Sequence, residues 1–185
     1  WILLFLVPAI GMRTLSDEIK SGTIELLKTK PLSGWQIVLG KYISILIVLV
    51  IVIIPTFIYV YTIDVLSATA SIDTGGIAGS YIGLLMLGAV FAAISLCCSG
   101  LTANAVVAFL ISVFACLILY FGFSALSKLP AFSGGADYYI EMLGIDFHYR
   151  SISRGVMDSR DMIYFLSIIY FFLLITVKKL QSKTT

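Results

Sequence analysis

Charge is scarce in this sequence. Asp, Glu, Lys and Arg make up 12% of its 185 residues, against 60% hydrophobic residues and a mean hydropathy of +1.08. A soluble domain carries about 25% charged residues. From Thr74 to Ser127 there is no Asp, Glu, Lys, Arg or His. A soluble fold is therefore excluded, and the chain reads as an integral membrane protein. The same absence weighs against an ion-driven carrier. Such carriers keep an ionisable side chain within the membrane despite its cost of about 2.5–3.5 kcal/mol or more. Cysteine is scarce too. Cys97, Cys98 and Cys116 lie in or beside apolar runs and read as small buried residues, not as a disulfide framework or metal site. His148 is the only His, so it lacks partners for a metal set and is expected as a neutral hydrogen-bonding group. No G-x-x-x-x-G-K-[ST] run occurs, so any nucleotide must sit on another polypeptide. Neither a cofactor nor a nucleic acid partner is expected.

What the chain has instead is long apolar runs. A span needs about 20 such residues, and four fit: Tyr42–Ile63, Ile77–Ser99, Asn104–Leu126 and Met162–Val177. The last is short unless its helix begins near Asp158. Trp1–Gly11 is apolar but only half a span, and reads as the cut end of a helix with at least one span upstream. Pro55 removes a backbone hydrogen bond and is expected to kink the first full span. Gly79 and Gly83 form a GxxxG pair in the second, expected to pack closely against another part of the same chain.

Loop charges set the orientation. The segment 12–41 holds Arg13, Lys20, Lys28, Lys30 and Lys41, and the tail holds Lys178, Lys179 and Lys183. The loop 64–76 has two Asp and no Lys or Arg. Lys- and Arg-rich short loops stay cytoplasmic. The segment 12–41, the turn 100–103 and the C-terminus are thus expected inside, and the loops 64–76 and 128–160 outside. Trp35 and Tyr42 are expected at the inner interface, and Tyr59, Tyr61 and Tyr164 at the outer one. Lys41 and Lys178 are expected to snorkel to the inner surface.

The charged segment 12–41 interrupts this apolar pattern. On a helix, Leu15, Ile19, Gly22 and Leu26 form one narrow apolar stripe, with Thr23 and Leu27 beside it and Glu18 and Glu25 along its edge. Gly22 signals a close contact or a bend. Pro31 forces a turn, after which Ser33 is placed to cap a second short helix, Trp35–Lys41, running into the membrane. Acids along so narrow a stripe suit a docked protein better than an anionic lipid surface. In the outer loop, Ala136–Gly144 and Asp146–Arg154 read as two short helices, with Gly144 and Gly155 as stops. Asp158 is placed to cap the last span, with Asp161 in its first turn. Arg150 and Arg154 lie one turn apart. They face either an anionic substrate or their neighbours Asp146 and Glu141, and the pairing is favoured.

Two polar blocks carry a family resemblance. Glu18, the run Gly22-Thr23-Ile24-Glu25-Leu26-Leu27, Pro31-Leu32-Ser33 and Trp35–Lys41 form the first. His148–Asp161 followed by Tyr164-Phe165-Leu166-Ser167 forms the second. Together they resemble the permeases of ABC-2 type transporters, nearest to the permease subunits of gliding-motility ABC transporters of Bacteroidota. Ile19 departs from the pattern, since related permeases often carry a charged residue there. The resemblance implies an all-α, polytopic transmembrane bundle forming one permease domain over 1–185. It has a cytoplasmic coupling segment (12–41) and an outer loop of short helices (128–160) before the last span. It implies a six-helix permease lacking its first helix here, in a bacterial inner membrane, paired with a second permease subunit as a homo- or heterodimer. Two copies of a separate ATPase subunit would dock on the coupling segment, so the chain itself would not be an enzyme. Glu18, Gly22, Thr23, Glu25, Leu26, Leu27 and Pro31 are the expected ATPase contacts, and Arg150 and Arg154 are candidate outer-gate or substrate-facing residues. A non-transporting membrane scaffold and a secondary carrier are the competing readings.

Overall fold

A computed structural model describes residues 1–23, 32–66, 73–129, 136–155 and 158–182. The described residues form helices throughout. They are α1 (Ile2–Gly11), α2 (Arg13–Ser21), α3 (Gly34–Ile53), α4 (Phe57–Leu66), α5 (Thr74–Leu101), α6 (Ala105–Leu117), α7 (Phe123–Ser127), α8 (Ala136–Met142), α9 (Ile145–Ile152) and α10 (Ser159–Ser182). A 3-10 turn, Ile54–Thr56, joins α3 to α4, and a π-helical turn, Ile118–Gly122, joins α6 to α7. Four continuous stretches are long and apolar enough to cross a membrane: Gly34–Leu66, Thr74–Leu101, Ala105–Ser127 and Ser159–Gln181.

Three of the four spans are longer than their apolar runs suggested, because polar caps start their helices earlier. Ser33 and Gln36 form a reciprocal capping box at the start of α3, with bonds of 2.8 and 3.3 Å. The short helix expected over Trp35–Lys41 is therefore the first part of the span, not a separate element. Asp73 caps α5 through the Gly76 N–H at 3.0 Å, and Asn104 caps α6. Asp158 Oδ1 accepts the Arg160 N–H at 3.0 Å, so α10 starts three residues before Met162. Pro55 sits in the 3-10 turn, as its missing N–H predicts.

α5 is the central helix. It packs against α1, α2, α3, α6, α9 and α10. Its most apolar stretch is 78% buried, against 17%, 22% and 28% for the other three spans. The lack of charge in α5 thus reflects enclosure by protein, and small residues make that enclosure tight. Gly79 lets α5 touch the end of α9: a Cβ there would lie 2.6 Å from Gly155 Cα and 2.7 Å from Ile152 O. Gly83 likewise packs on Ile152 and Tyr149. The pair serves packing within the chain. The first span, by contrast, presents Ile43, Ile47, Ile51, Ile54 and Ile58 unburied along α3, the 3-10 turn and α4, as suits a lipid-facing surface.

Two expectations about interfacial side chains are corrected. Tyr42 is buried, and its hydroxyl donates to Ala89 O at 3.1 Å. Burial beside α5 outweighs the headgroup level because the phenol finds a buried carbonyl. Lys41 turns back into the protein instead of snorkelling, for reasons given below. Trp35 stacks on Tyr170 at 6.0 Å. Cys97, Cys98 and Cys116 are free and buried.

Candidate functional site

The charged segment begins where the helix is interrupted at Met12, between α1 and α2. Gly11 is required there, because a Cβ would overlap the Ser95 hydroxyl of α5. Met12 gives α2 no side-chain cap, yet the first N–H groups of a helix need acceptors. α5 supplies one. Ser99 Oγ accepts the N–H groups of Leu15 and Ser16, each at 3.0 Å, and donates to Met12 O at 2.9 Å. One donor and two acceptor positions are the full capacity of a hydroxyl, and Ser99 is fully buried. The polar helix α2 is thus capped by a residue 83 positions from Ser16 in sequence.

The apolar stripe faces inward. Leu15 is buried and Ile19 packs on the core, so these residues attach α2 to the bundle. An inward position also accounts for an apolar residue at 19. The single stripe expected through Gly22 to Leu26 is cut short. Gly22 takes φ 72°, the left-handed conformation that ends a helix and favours glycine. Gly22 and Thr23 are exposed there, while Glu25, Leu26, Leu27 and Pro31 lie outside the described residues. The exposed face of α2 carries Arg13, Asp17 and Lys20. With Thr102–Val106 these line a groove of about 640 Å³.

Glu18 sits on the opposite edge of α2 and is engaged within the chain. Lys41 Nζ of α3 donates to Glu18 Oε1 at 2.5 Å and to Thr14 O at 2.6 Å. This is why Lys41 does not reach for the membrane surface. Glu18 Oε2 is buried with no hydrogen-bond partner.

A second polar cluster lies at the other end of the bundle, where α8 and α9 fold back towards α5 and α10. Arg150 pairs with Asp146 one turn away on α9, the pairing favoured from sequence. Arg154 Nε donates to Arg150 O at 3.0 Å. Among the described residues the guanidinium groups of Arg154 and Arg160 have no carboxylate partner. Gly155 ends this segment at φ 83°, against Gly75 and Gly76. Burial pushes the Tyr149 phenol above its ordinary pKa.

His148 is held at both ring nitrogens. It is 3% exposed. Its Nδ1 faces Asp161 Oδ1 at 2.6 Å and its Nε2 faces Met142 O at 2.9 Å. A carbonyl only accepts, so Nε2 carries a proton. The 2.6 Å approach of Nδ1 to Asp161 Oδ1 then places one shared proton between ring and carboxyl. Tyr164 stacks on the ring at 3.9 Å and donates to Leu143 O at 2.5 Å. His148 thereby ties α8, α9 and α10 together.

The expected site residues therefore fall into two groups at opposite ends: Glu18, Gly22 and Thr23 at one, Arg150 and Arg154 at the other. Ser99, Lys41 and Arg160 are additions from the structure. Ser99 looked like one small residue among several on α5, and nothing in its neighbours marked it as a cap. The Arg13–Asp17–Lys20 face had a signal in the i, i+4 spacing of two of its members.

No curated protein matches the chain. Residues 2–140, which include α2, the central helix α5 and the start of α8, match the family model of ABC-2 family transporter proteins. That match spans most of the sequence and agrees with four apolar spans around a polar, internally capped helix, so the chain belongs to the ABC-2 transporter family as a multi-pass membrane permease that works with an ABC ATPase.

Proposed function

We propose that this permease couples ATP hydrolysis on its ATPase partner to export of a substrate, in a gliding-motility type of ABC transporter. α2 and the segment after it form the docking surface, on the cytoplasmic side of a bacterial inner membrane, and the C-terminus lies on the same side. A second permease subunit completes the path. The observation that carries this reading is the attachment of α2. A mainly polar helix exposed on one face is fixed on its other face to the most buried helix of the bundle, through Ser99. Force applied to α2 meets α5 directly.

The attachment also redistributes the roles of the docking residues. Glu18 is engaged with Lys41, so its part is to hold α2 on α3. The contacts fall to Arg13, Asp17 and Lys20, which are exposed beside the 102–106 turn, and to Gly22, Thr23, Glu25, Leu26, Leu27 and Pro31. The test is co-purification of the full-length permease with its ATPase. Asp17→Arg combined with Lys20→Glu is expected to reduce recovered complex at least tenfold while membrane insertion stays normal, and Glu25→Arg is expected to weaken it as well. Wild-type recovery from both variants would overturn the docking role.

A further inference from the structure

The α9–α10 end holds a cleft of about 380 Å³ that the docking reading does not use. Its walls include Tyr138, Phe147, Arg154, Asp158, Arg160 and Asp161. Its charges are not mutually satisfied. Arg150 is matched by Asp146, and His148 by Asp161. Asp158 directs Oδ1 to the backbone of α10. Arg154 and Arg160 are left facing one carboxylate, Asp158, so the cleft keeps one surplus positive charge. A second group is also unfilled. Asp161 Oδ2 is buried without a hydrogen-bond partner, on a side chain 8% exposed. Buried acceptors of this kind cost about 1–3 kcal/mol when nothing donates to them.

Position adds to this. Arg160 is the second residue of α10, so it stands where the apolar span meets water. Tyr138, Phe147 and His148 form a row of edge contacts, Tyr138 to Phe147 at 5.8 Å and Phe147 to His148 at 5.4 Å. Tyr138, apolar along its ring and polar at its hydroxyl, suits the headgroup level. Guanidinium groups at that level match phosphate oxygens in geometry and charge.

We propose that this cleft binds a phosphate diester that also carries a hydrogen-bond donor, with Arg154 and Arg160 on the phosphate and Asp161 Oδ2 accepting from the donor. A diester bears one negative charge, equal to the surplus in the cleft. The same chemistry is offered by a lipid headgroup such as phosphoglycerol and by a water-borne phosphodiester.

Native mass spectrometry of the full-length protein in detergent tests the site, with dihexanoyl phosphatidylglycerol as probe. Arg154→Gln combined with Arg160→Gln is expected to weaken binding about tenfold or more, while Lys178→Gln with Lys179→Gln, at the opposite end, leaves it unchanged. Equal loss in both variants, or loss in neither, overturns the proposal. Dihexanoyl phosphatidylmethanol has the same charge but no headgroup donor, and is expected to bind several-fold more weakly. Equal binding of the two lipids overturns the role of Asp161. Glycerophosphoglycerol, the same diester without acyl chains, separates the sources. Displacement of the lipid by millimolar amounts supports a site for a water-borne diester, and retention supports a lipid site.

Discussion

Replacing Ser99 by Ala removes one oxygen that three backbone groups share, and two of them have no other side-chain partner. The N–H groups of Leu15 and Ser16 lose their acceptor. Met12 O loses one donor but keeps the Ser16 hydroxyl at 2.5 Å, so its loss is small. Two orphaned donors in a fully buried position would cost about 2 kcal/mol at the low end of the range for unsatisfied groups. That also agrees with the loss of an N-cap, about 0.5–2 kcal/mol. Such a cost shifts the equilibrium between docked and detached α2 by a factor of about 30. Amide hydrogen exchange reads this directly. The two N–H groups sit in the first turn of α2, where the helical ladder is only beginning. Exchange at Leu15 and Ser16 is expected to accelerate about 30-fold where it proceeds through detachment of α2, with little change in α3 or α10. Thermal unfolding in detergent is expected to drop by about 4–8 °C. In the ATPase complex, hydrolysis is expected to persist while its coupling to transport falls. Unchanged exchange at Leu15 and Ser16 would refute the cap, whatever the transport result.

Three further substitutions test other contacts. Lys41→Met leaves Glu18 with both oxygens unpaired in a half-buried site and is expected to cost about 2 kcal/mol, whereas Lys41→Met with Glu18→Met costs less than the single change, since both polar partners are gone; thermal unfolding of the four combinations measures this. Gly79→Val drives a side chain into the backbone of Ile152 and Gly155 and is expected to destabilise by about 1–3 kcal/mol or more, while Gly83→Ala, which meets side chains that can shift, costs less in the same assay. His148→Ala leaves Asp161 buried and uncompensated, with an expected cost of about 3–5 kcal/mol; Arg150→Ala, from an exposed arginine, is expected to be much milder, and equal effects would contradict the burial argument.

The bundle was legible because its signals are local or compositional. Apolar runs mark spans wherever they occur, and Ser33, Pro55, Asp158 and Gly155 act on backbone within a few residues of themselves. The pairing of Arg150 with Asp146 was readable for the same reason, since i, i+4 neighbours meet on any helix. The contacts of the candidate sites are of another kind. Lys41 meets Glu18 across 23 residues, and Ser99 meets Leu15 across 84. Lysine beside an apolar run has two physical outcomes, snorkelling or pairing, and only the packing of α2 on α3 decides between them. His148 shows the same gap. Its two partners, Asp161 Oδ1 and Met142 O, come from other helices, and nothing beside His148 in the sequence marks them.

The absence of charge in α5 has a mechanical sense beyond lipid exposure. α5 runs 28 residues without Pro or a 3-10 or π turn, about 42 Å. Two of its three long apolar neighbours are interrupted, α3–α4 at Ile54–Thr56 and α6–α7 at Ile118–Gly122, while α10 is continuous. The enclosed helix is regular, and both interruptions fall in spans that present more of their surface. α5 also carries polar attachments at both ends. Ser99 holds α2, while Ser80 donates to Ser153 O at 3.0 Å and Gly79 touches Gly155. A helix bonded in this way moves as a unit, because displacing either end breaks hydrogen bonds that have no water to replace them. A charge inside it would need a partner within the tight contacts made by Gly83, Gly88 and Ala92, and each partner would loosen the packing that makes the helix stiff. The same residues that exclude charge from α5 thus give the two polar ends of the permease a common rod.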